Sequence, residues 1–282
     1  MTFILSLFLG LVQGIARFLP VSSSGHLSIL QNLFNMEYSK EENLMFDALV
    51  NLGTLCSICF VYRTEIRDMI TDGLEFMRMR GEADVDEPVV LKPPGRALLF
   101  VLIGTLPMLI ALIFKSEVDR LFSNTAFVGF ALLVTGGLLF VSDKFIVRGN
   151  KSEKTMTVVD AIIIGLSQAV AILPGLSRSG TTITVGLARG LSAAYAVRFS
   201  LLLSVPAVFG ATIVSLYSAI RDGSDFSLFF IYLAGAIVAT LAGFFSIQLL
   251  RRLMTRGSFG KFAYYCWGAG LVTILLSAVL SG

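Results

Sequence analysis

The 282 residues are 55% hydrophobic and 15% charged, with a mean hydropathy of +0.82. A soluble domain carries about a quarter charged residues, so a soluble globular enzyme is excluded, and a net charge of +3 provides no basic domain for nucleic acid. The three cysteines, Cys56, Cys59 and Cys266, fall in apolar stretches and are expected to be buried membrane thiols rather than a redox pair.

In chain order, residues 3–33 are apolar but interrupted at Pro20. No basic segment precedes them, so the stretch reads as retained rather than cleaved. Residues 44–62 are long enough to span a bilayer and are apolar apart from Asp47. Residues 64–80 place Ile66, Met69, Ile70, Leu74 and Met77 at helical spacing, as in a helix lying on a membrane surface. Uncharged spanning windows follow at 97–114 and 125–142. Residues 158–190 are apolar but broken at Pro174, and three more uncharged windows occupy 199–220, 226–250 and 262–281. Pro107 and Pro206 are expected to kink their helices. Gly10/Gly14 and Gly235/Ala239/Gly243 have the spacing of close helix contacts. Tyr264, Tyr265 and Trp267 read as an interfacial aromatic belt.

The connections 63–96, 143–157 and 251–261 hold fourteen Lys and Arg residues, against four in 35–43, 115–124 and 218–227. This alternation puts the first set in the cytoplasm. Residues 158–190 must then enter and leave from the cytoplasmic side, and residues 3–33 from the outer side. The expected fold is an all-α integral membrane protein of six transmembrane helices and two re-entrant helical hairpins. It forms a single membrane domain, with one repeat over 1–142 (hairpin 3–33) and a cytoplasmic loop over 143–157. The second repeat covers 158–282 (hairpin 158–190) in the inverted orientation, as in many transporters.

The two hairpins share a pattern. Gly10, Gln13, Ala16, Ser24 and Gly25 each have an identical counterpart 155 residues later. Each hairpin stops at a proline and opens into a Ser/Gly turn, and a polar turn inside hydrocarbon marks a site. The first turn, Ser22-Ser23-Ser24-Gly25-His26, carries the only histidine. The second, Ser177-Arg178-Ser179-Gly180-Thr181-Thr182, offers hydroxyls, free backbone N–H groups and a guanidinium fork matched to phosphate. Outside the loops only the cations Arg17, Arg178, Arg189 and Arg198 remain, with the acids Asp47 and Asp160. Asp160 reads as a helix cap, whereas Asp47 needs a partner or a role. His26 is a candidate nucleophile or general acid/base, and Ser23 a candidate nucleophile.

The runs Gln13-Gly14-Ile15-Ala16, Phe18–His26 and Leu173–Ile183, with Phe46-Asp47, resemble the bacterial undecaprenyl-diphosphatase family, also called the bacitracin-resistance protein family. The likeness covers essentially the whole chain. It implies a multi-pass enzyme of the bacterial plasma (inner) membrane that removes the terminal phosphate of undecaprenyl diphosphate. The product is a lipid carrier for peptidoglycan synthesis. The resemblance places Ser23 and His26 at the reacting phosphate and Arg178 on the diphosphate, with Ser177 and Thr182. Gln13, Ser22, Ser24, Asp47, Ser179 and Gly180 complete the expected binding set. It also implies a divalent cation, Mg²⁺ or Ca²⁺, with Gln13 and Asp47 as candidate ligands. Expected partners are the polyprenyl diphosphate and membrane lipids, with a homodimer left open.

One position departs from the family. Its first motif is Glu or Gln, three residues, then Glu; here Gln13 is followed by Arg17. The spacing of four puts both on one helix face. A guanidinium cannot act as a base, and loss of a general base costs roughly 10²–10⁴-fold in rate. Arg17 is therefore either a second phosphate clamp or a residue turned aside to pair with Asp47. The alternative function is a catalytically weakened polyprenyl-phosphate binder or flippase.

Overall fold

A computed structural model of the chain describes residues 1–33, 40–82, 91–146, 149–221, 226–255 and 259–280. Parts of the connections counted above (35–39, 83–90, 147–148, 222–225 and 256–258) lie outside the described residues. The helices run α1 (Phe3–Phe18), α2 (Ser23–Leu33), α3 (Lys40–Val61), α4 (Arg63–Glu82), α5 (Pro93–Ile113) and α6 (Lys115–Phe122). They continue as α7 (Thr125–Ile146), α8 (Val158–Val170), α9 (Arg178–Ala188), α10 (Ala193–Arg221), α11 (Phe229–Thr255) and α12 (Phe262–Leu280). Six of them (α3, α5, α7, α10, α11 and α12) are long and apolar enough to cross a membrane.

Helices α7, α10 and α11 outrun their uncharged windows because a terminal charge does not end a helix. Arg198 lies inside α10, and Arg251 and Arg252 inside α11. Pro107 and Pro206 also lie within their helices, which continue through them. Residues 63–82 are helical as the spacing predicts. Residues 115–124, expected as a loop, contain the short helix α6, supported by a Glu117–Arg120 pair one turn apart. Cys56 and Cys59 correct the expectation of burial: both are exposed on the outside of the bundle, and only Cys266 is buried.

Packing exchanges the two halves of the chain. Helix α1 lies on α11 as α8 lies on α5, while α3 packs on α10 and α7 on α12. Absent side chains allow this closeness. A methyl group on Gly10 would strike the Gly235 carbonyl, and one on Gly165 would strike that of Gly104. Gly14 likewise abuts Ala239. Small residues replace an absent hydrophobic driving force with backbone contact.

The helix directions place the connections. Tyr62, Glu65, Ser152, Glu153, Arg198 and Arg251 line one cavity of about 360 Å³, so the three Lys/Arg-rich connections converge at one end. The pair α8–α9 both starts and finishes there. Lys151 Nζ and Arg189 Nε bind the two oxygens of Asp160 at 2.9 and 2.8 Å, and the Lys151 N–H bonds the Gly190 carbonyl. The pair α1–α2 starts and finishes at the other end. Ser6 donates to the Ile231 carbonyl near the start of α11, while Ser28 and Asn32 donate to the Phe122 carbonyl just before α7.

Asp160 is more than a cap. Thr157 and Asp160 form a reciprocal capping box, and the carboxylate also joins two cations. Burial opposes its ionisation, but the hydrogen bonds from Lys151, Thr157 and Arg189 together outweigh this and hold it down at about 2. The stability it contributes is therefore present above 3.8 and lost as pH falls toward about 2. Asp160→Asn, assayed by thermal unfolding in detergent at neutral pH, is expected to cost roughly 2 kcal/mol.

Candidate active site

Each short helix pair turns through a serine-capped tip. Ser177 Oγ accepts the Gly180 N–H at 3.1 Å and sits 3.3 Å from Ser179 Oγ. Ser22 Oγ accepts the Gly25 N–H at 3.2 Å and sits 3.4 Å from Ser24 Oγ. The two arrangements match residue for residue at a separation of 155 positions. A side-chain oxygen at the N-cap satisfies one N–H of the first helical turn and leaves others directed outward. The tips touch each other: a methyl on Gly25 would press on Gly175, and Ser179 Oγ donates to the Leu19 carbonyl at 3.4 Å. Thr135 of α7 holds the second tip by donating to the Gly175 carbonyl and accepting the Ser177 N–H. Gly175 has a φ of +94°, which suits glycine. Ser22 has a φ of +66°, alone in that region among described non-glycine residues. Such strain, about 1–2 kcal/mol, concentrates where a helix start must be aimed.

Between the tips lies a cavity of about 270 Å³. Ser22, Ser23 and Ser24 line it from one tip, and Ser177 and Arg178 from the other, with Arg17 and Asn51 beside them. Ser23 and Arg178 occupy corresponding positions, each directly after its capping serine. A second wall is apolar: Met108, Ala207, Val208 and Ala211.

Charge distinguishes this cavity from the one at the basic end. There Arg198 is paired with Glu153, and Glu65 accompanies Arg251. Arg189 is paired with Asp160. Among the described residues this leaves Arg17 and Arg178 as the intramembrane cations with no carboxylate at ion-pair distance. Arg17 does not pair with Asp47 directly. Its Nη2 donates to Asn51 Oδ1 at 2.6 Å, its Nε is buried without a partner, and it experiences both the repulsion of Arg178 and the attraction of Asp47. Asn51 lies one turn beyond Asp47 on α3, and it also accepts Gln13 Nε2 at 3.4 Å. Two guanidiniums with no carboxylate at ion-pair distance, beside two helix starts, have the chemistry to receive an anion.

Some expected residues stand elsewhere. His26 is not among those lining the cavity. Its Nδ1 bonds the Ser22 carbonyl at 2.7 Å, and its Nε2 bonds the Tyr265 hydroxyl at 2.7 Å. The ring stacks on Tyr265 with planes 8° apart. Tyr265, expected in an aromatic belt, therefore anchors the first tip to α12. Trp267 is anchored too, donating to the Leu133 carbonyl at 3.1 Å. The Thr182 hydroxyl lies within α9, donating to the Arg178 carbonyl and meeting Ser200 of α10. It braces the turn that carries Arg178. Ser179 and Gly180 likewise shape the tip.

Gln13 and Asp47 provide one amide oxygen and one carboxylate. Among the described residues no three His, Cys, Asp or Glu side chains gather to hold a metal ion. Ca²⁺ and Mg²⁺ take about six oxygen ligands, usually with carboxylates, and here the neighbouring charges are guanidiniums. The residues present do not fit a resident divalent cation. Two cavity residues, Gln168 and Asn51, were missing from the expected set. Gln168 is the counterpart of Gln13, and Asn51 follows Asp47 by one helical turn, so both were within reach of pattern reasoning.

Residues 6–272 match a family model described as bacitracin resistance protein BacA. The undecaprenyl-diphosphatase of Carboxydothermus hydrogenoformans is 36% identical over 276 residues, covering 97% of both chains. That of Methanobrevibacter smithii is 38% identical over 277 residues and covers 98% of both. That of Syntrophotalea carbinolica is 38% identical over 279 residues, covering 99% of this chain and all of the relative.

Arg178→Ala is expected to weaken binding of inorganic diphosphate at least about tenfold in calorimetry. Arg178→Lys should restore only part of this, because an ammonium lacks the planar fork.

Proposed function

The chain belongs to the bacitracin resistance protein BacA family, and from that premise we propose that it hydrolyses undecaprenyl diphosphate to undecaprenyl phosphate and inorganic phosphate. The observation that carries the reading is the single cavity into which one tip brings Ser23 and the other Arg178. Diphosphate binds Arg178 and Arg17, with its charge at the starts of α2 and α9. The apolar wall of Met108, Ala207, Val208 and Ala211 receives the first part of the prenyl chain. Membrane insertion follows the charge alternation. The two short pairs re-enter from opposite faces of the bacterial inner membrane, and residues 1–142 and 158–282 form inverted repeats. The exchanged packing of the two halves supports this arrangement.

Ser23 rather than His26 is our choice of attacking group, because Ser23 lines the cavity. Its oxygen attacks the terminal phosphorus, and undecaprenyl phosphate leaves. Water then releases the phosphate from the serine. His26 is one turn along α2 from Ser23, on the same face. The Ser22 carbonyl accepts from Nδ1–H, which leaves Nε2 as the nitrogen with a free lone pair. Tyr265 donates to that nitrogen, so proton uptake from Ser23 requires this bond to open. Arg17 and Arg178 stabilise the charge that builds on the phosphoryl oxygens. Mg²⁺ or Ca²⁺ enters our reading only as an ion carried by the substrate's own oxygens.

Phosphate release from undecaprenyl diphosphate by the purified protein is the expected result, and its absence with Mg²⁺ or Ca²⁺ supplied would reject hydrolysis. Ser23→Ala should lower kcat by about 10³-fold or more while leaving diphosphate binding within a few-fold. Arg17→Glu beside the parent decides between clamp and impediment. Equal or lower turnover supports the clamp, whereas a rise of several decades would identify the parent as a weakened enzyme that chiefly binds its lipid.

A further inference from the structure

The cavity holds a buried polar side chain that the mechanism above does not use. Gln168, in the last turn of α8, is fully buried and lines the cavity with Arg17, Ser23 and Arg178. Among the described residues neither its Nε2 nor its Oε1 has a hydrogen-bond partner. Native proteins rarely leave a buried amide unbonded at both ends, because desolvation is then uncompensated. Its counterpart Gln13 is in a different position, since its Nε2 already donates to Asn51. Among the described residues nothing completes Gln168.

We propose that Gln168 is a binding residue for the terminal phosphate of the substrate, and this rests on the diphosphate reading of the site. Its two ends require a ligand that both accepts and donates. A phosphoryl oxygen accepts from Nε2–H, and a P–OH, or a water held by the phosphate, donates to Oε1. A terminal phosphate offers both groups in one place, whereas the inner phosphate, esterified on one side and bridged on the other, offers acceptors only. The amide adds no charge, so it selects between the two phosphates where guanidiniums only attract both. Gln168 thus sets which phosphate faces Ser23.

A structural glutamine and a ligand-binding one give opposite signs on substitution. Gln168→Leu removes a buried amide that has no partner among the described residues, so the free protein should unfold at the same or a higher temperature. Binding of inorganic diphosphate, measured by calorimetry in detergent, should weaken about tenfold or more. Gln168→Glu, which keeps an acceptor but brings negative charge toward phosphate, should weaken it further. Stability lost with affinity unchanged would overturn the proposal, as would equal binding by parent and Gln168→Leu or no binding by the parent. Turnover of undecaprenyl diphosphate is measured separately. A parent that binds diphosphate through Gln168 but releases no phosphate would sink the hydrolytic reading and leave this one standing.

Discussion

The fold depends on bringing two hydroxyl-capped helix starts together inside an apolar bundle. Helix starts carry unsatisfied N–H groups and partial positive charge, so they do not belong in hydrocarbon and they repel each other. Here each is satisfied locally by a serine cap, and the contact between them is made by glycine. Gly25 meets Gly175, where a side chain on Gly25 would hold the tips apart, while one on Gly175 would strike Val128 and Ala131 of α7. The two helix starts flank the cavity between the tips, and in the proposed function a diphosphate supplies acceptors there.

The bundle around the tips accommodates this constraint. Close backbone packing of α1 on α11 and of α8 on α5 fixes how far each pair penetrates. Charge is sorted in the same sense. Cations near the basic end are paired with Asp160 and Glu153, while among the described residues Arg17 and Arg178 have no carboxylate at ion-pair distance and Arg17 bonds the neutral Asn51. A receptor that already carried its own carboxylates would compete with the ligand. Two guanidiniums without carboxylates at ion-pair distance suit the multiply charged anion of the proposed function.

Much of this was legible in the sequence, and for identifiable reasons. Spanning helices follow from runs of apolar residues, and the two tips from a proline followed by Ser/Gly in an apolar context. Limits at helix ends were missed because a window ends at a charge and a helix does not, as at Arg198 and Arg251. The identities of the tip residues were evident, but their directions were not. His26 belongs to the motif and yet bonds Tyr265, a residue 239 positions away that no local pattern connects to it. Thr182 was expected at the ligand and instead braces α9 against Ser200. Arg17 was expected either to clamp phosphate or to pair with Asp47, and its donor goes to Asn51 rather than to Asp47. Such choices depend on which neighbour tertiary packing brings within three ångströms, and spacing along one helix does not encode that.

Cross-linking is the most direct test that one cavity is built by both tips. In a background lacking native cysteines, Ser24→Cys and Leu176→Cys line the cavity from opposite tips. A short bifunctional maleimide in native membranes should join them within one chain, and undecaprenyl diphosphate added beforehand should prevent it. If both cysteines label fully with separate reagents and yet never cross-link, the tips do not share a pocket and the account fails.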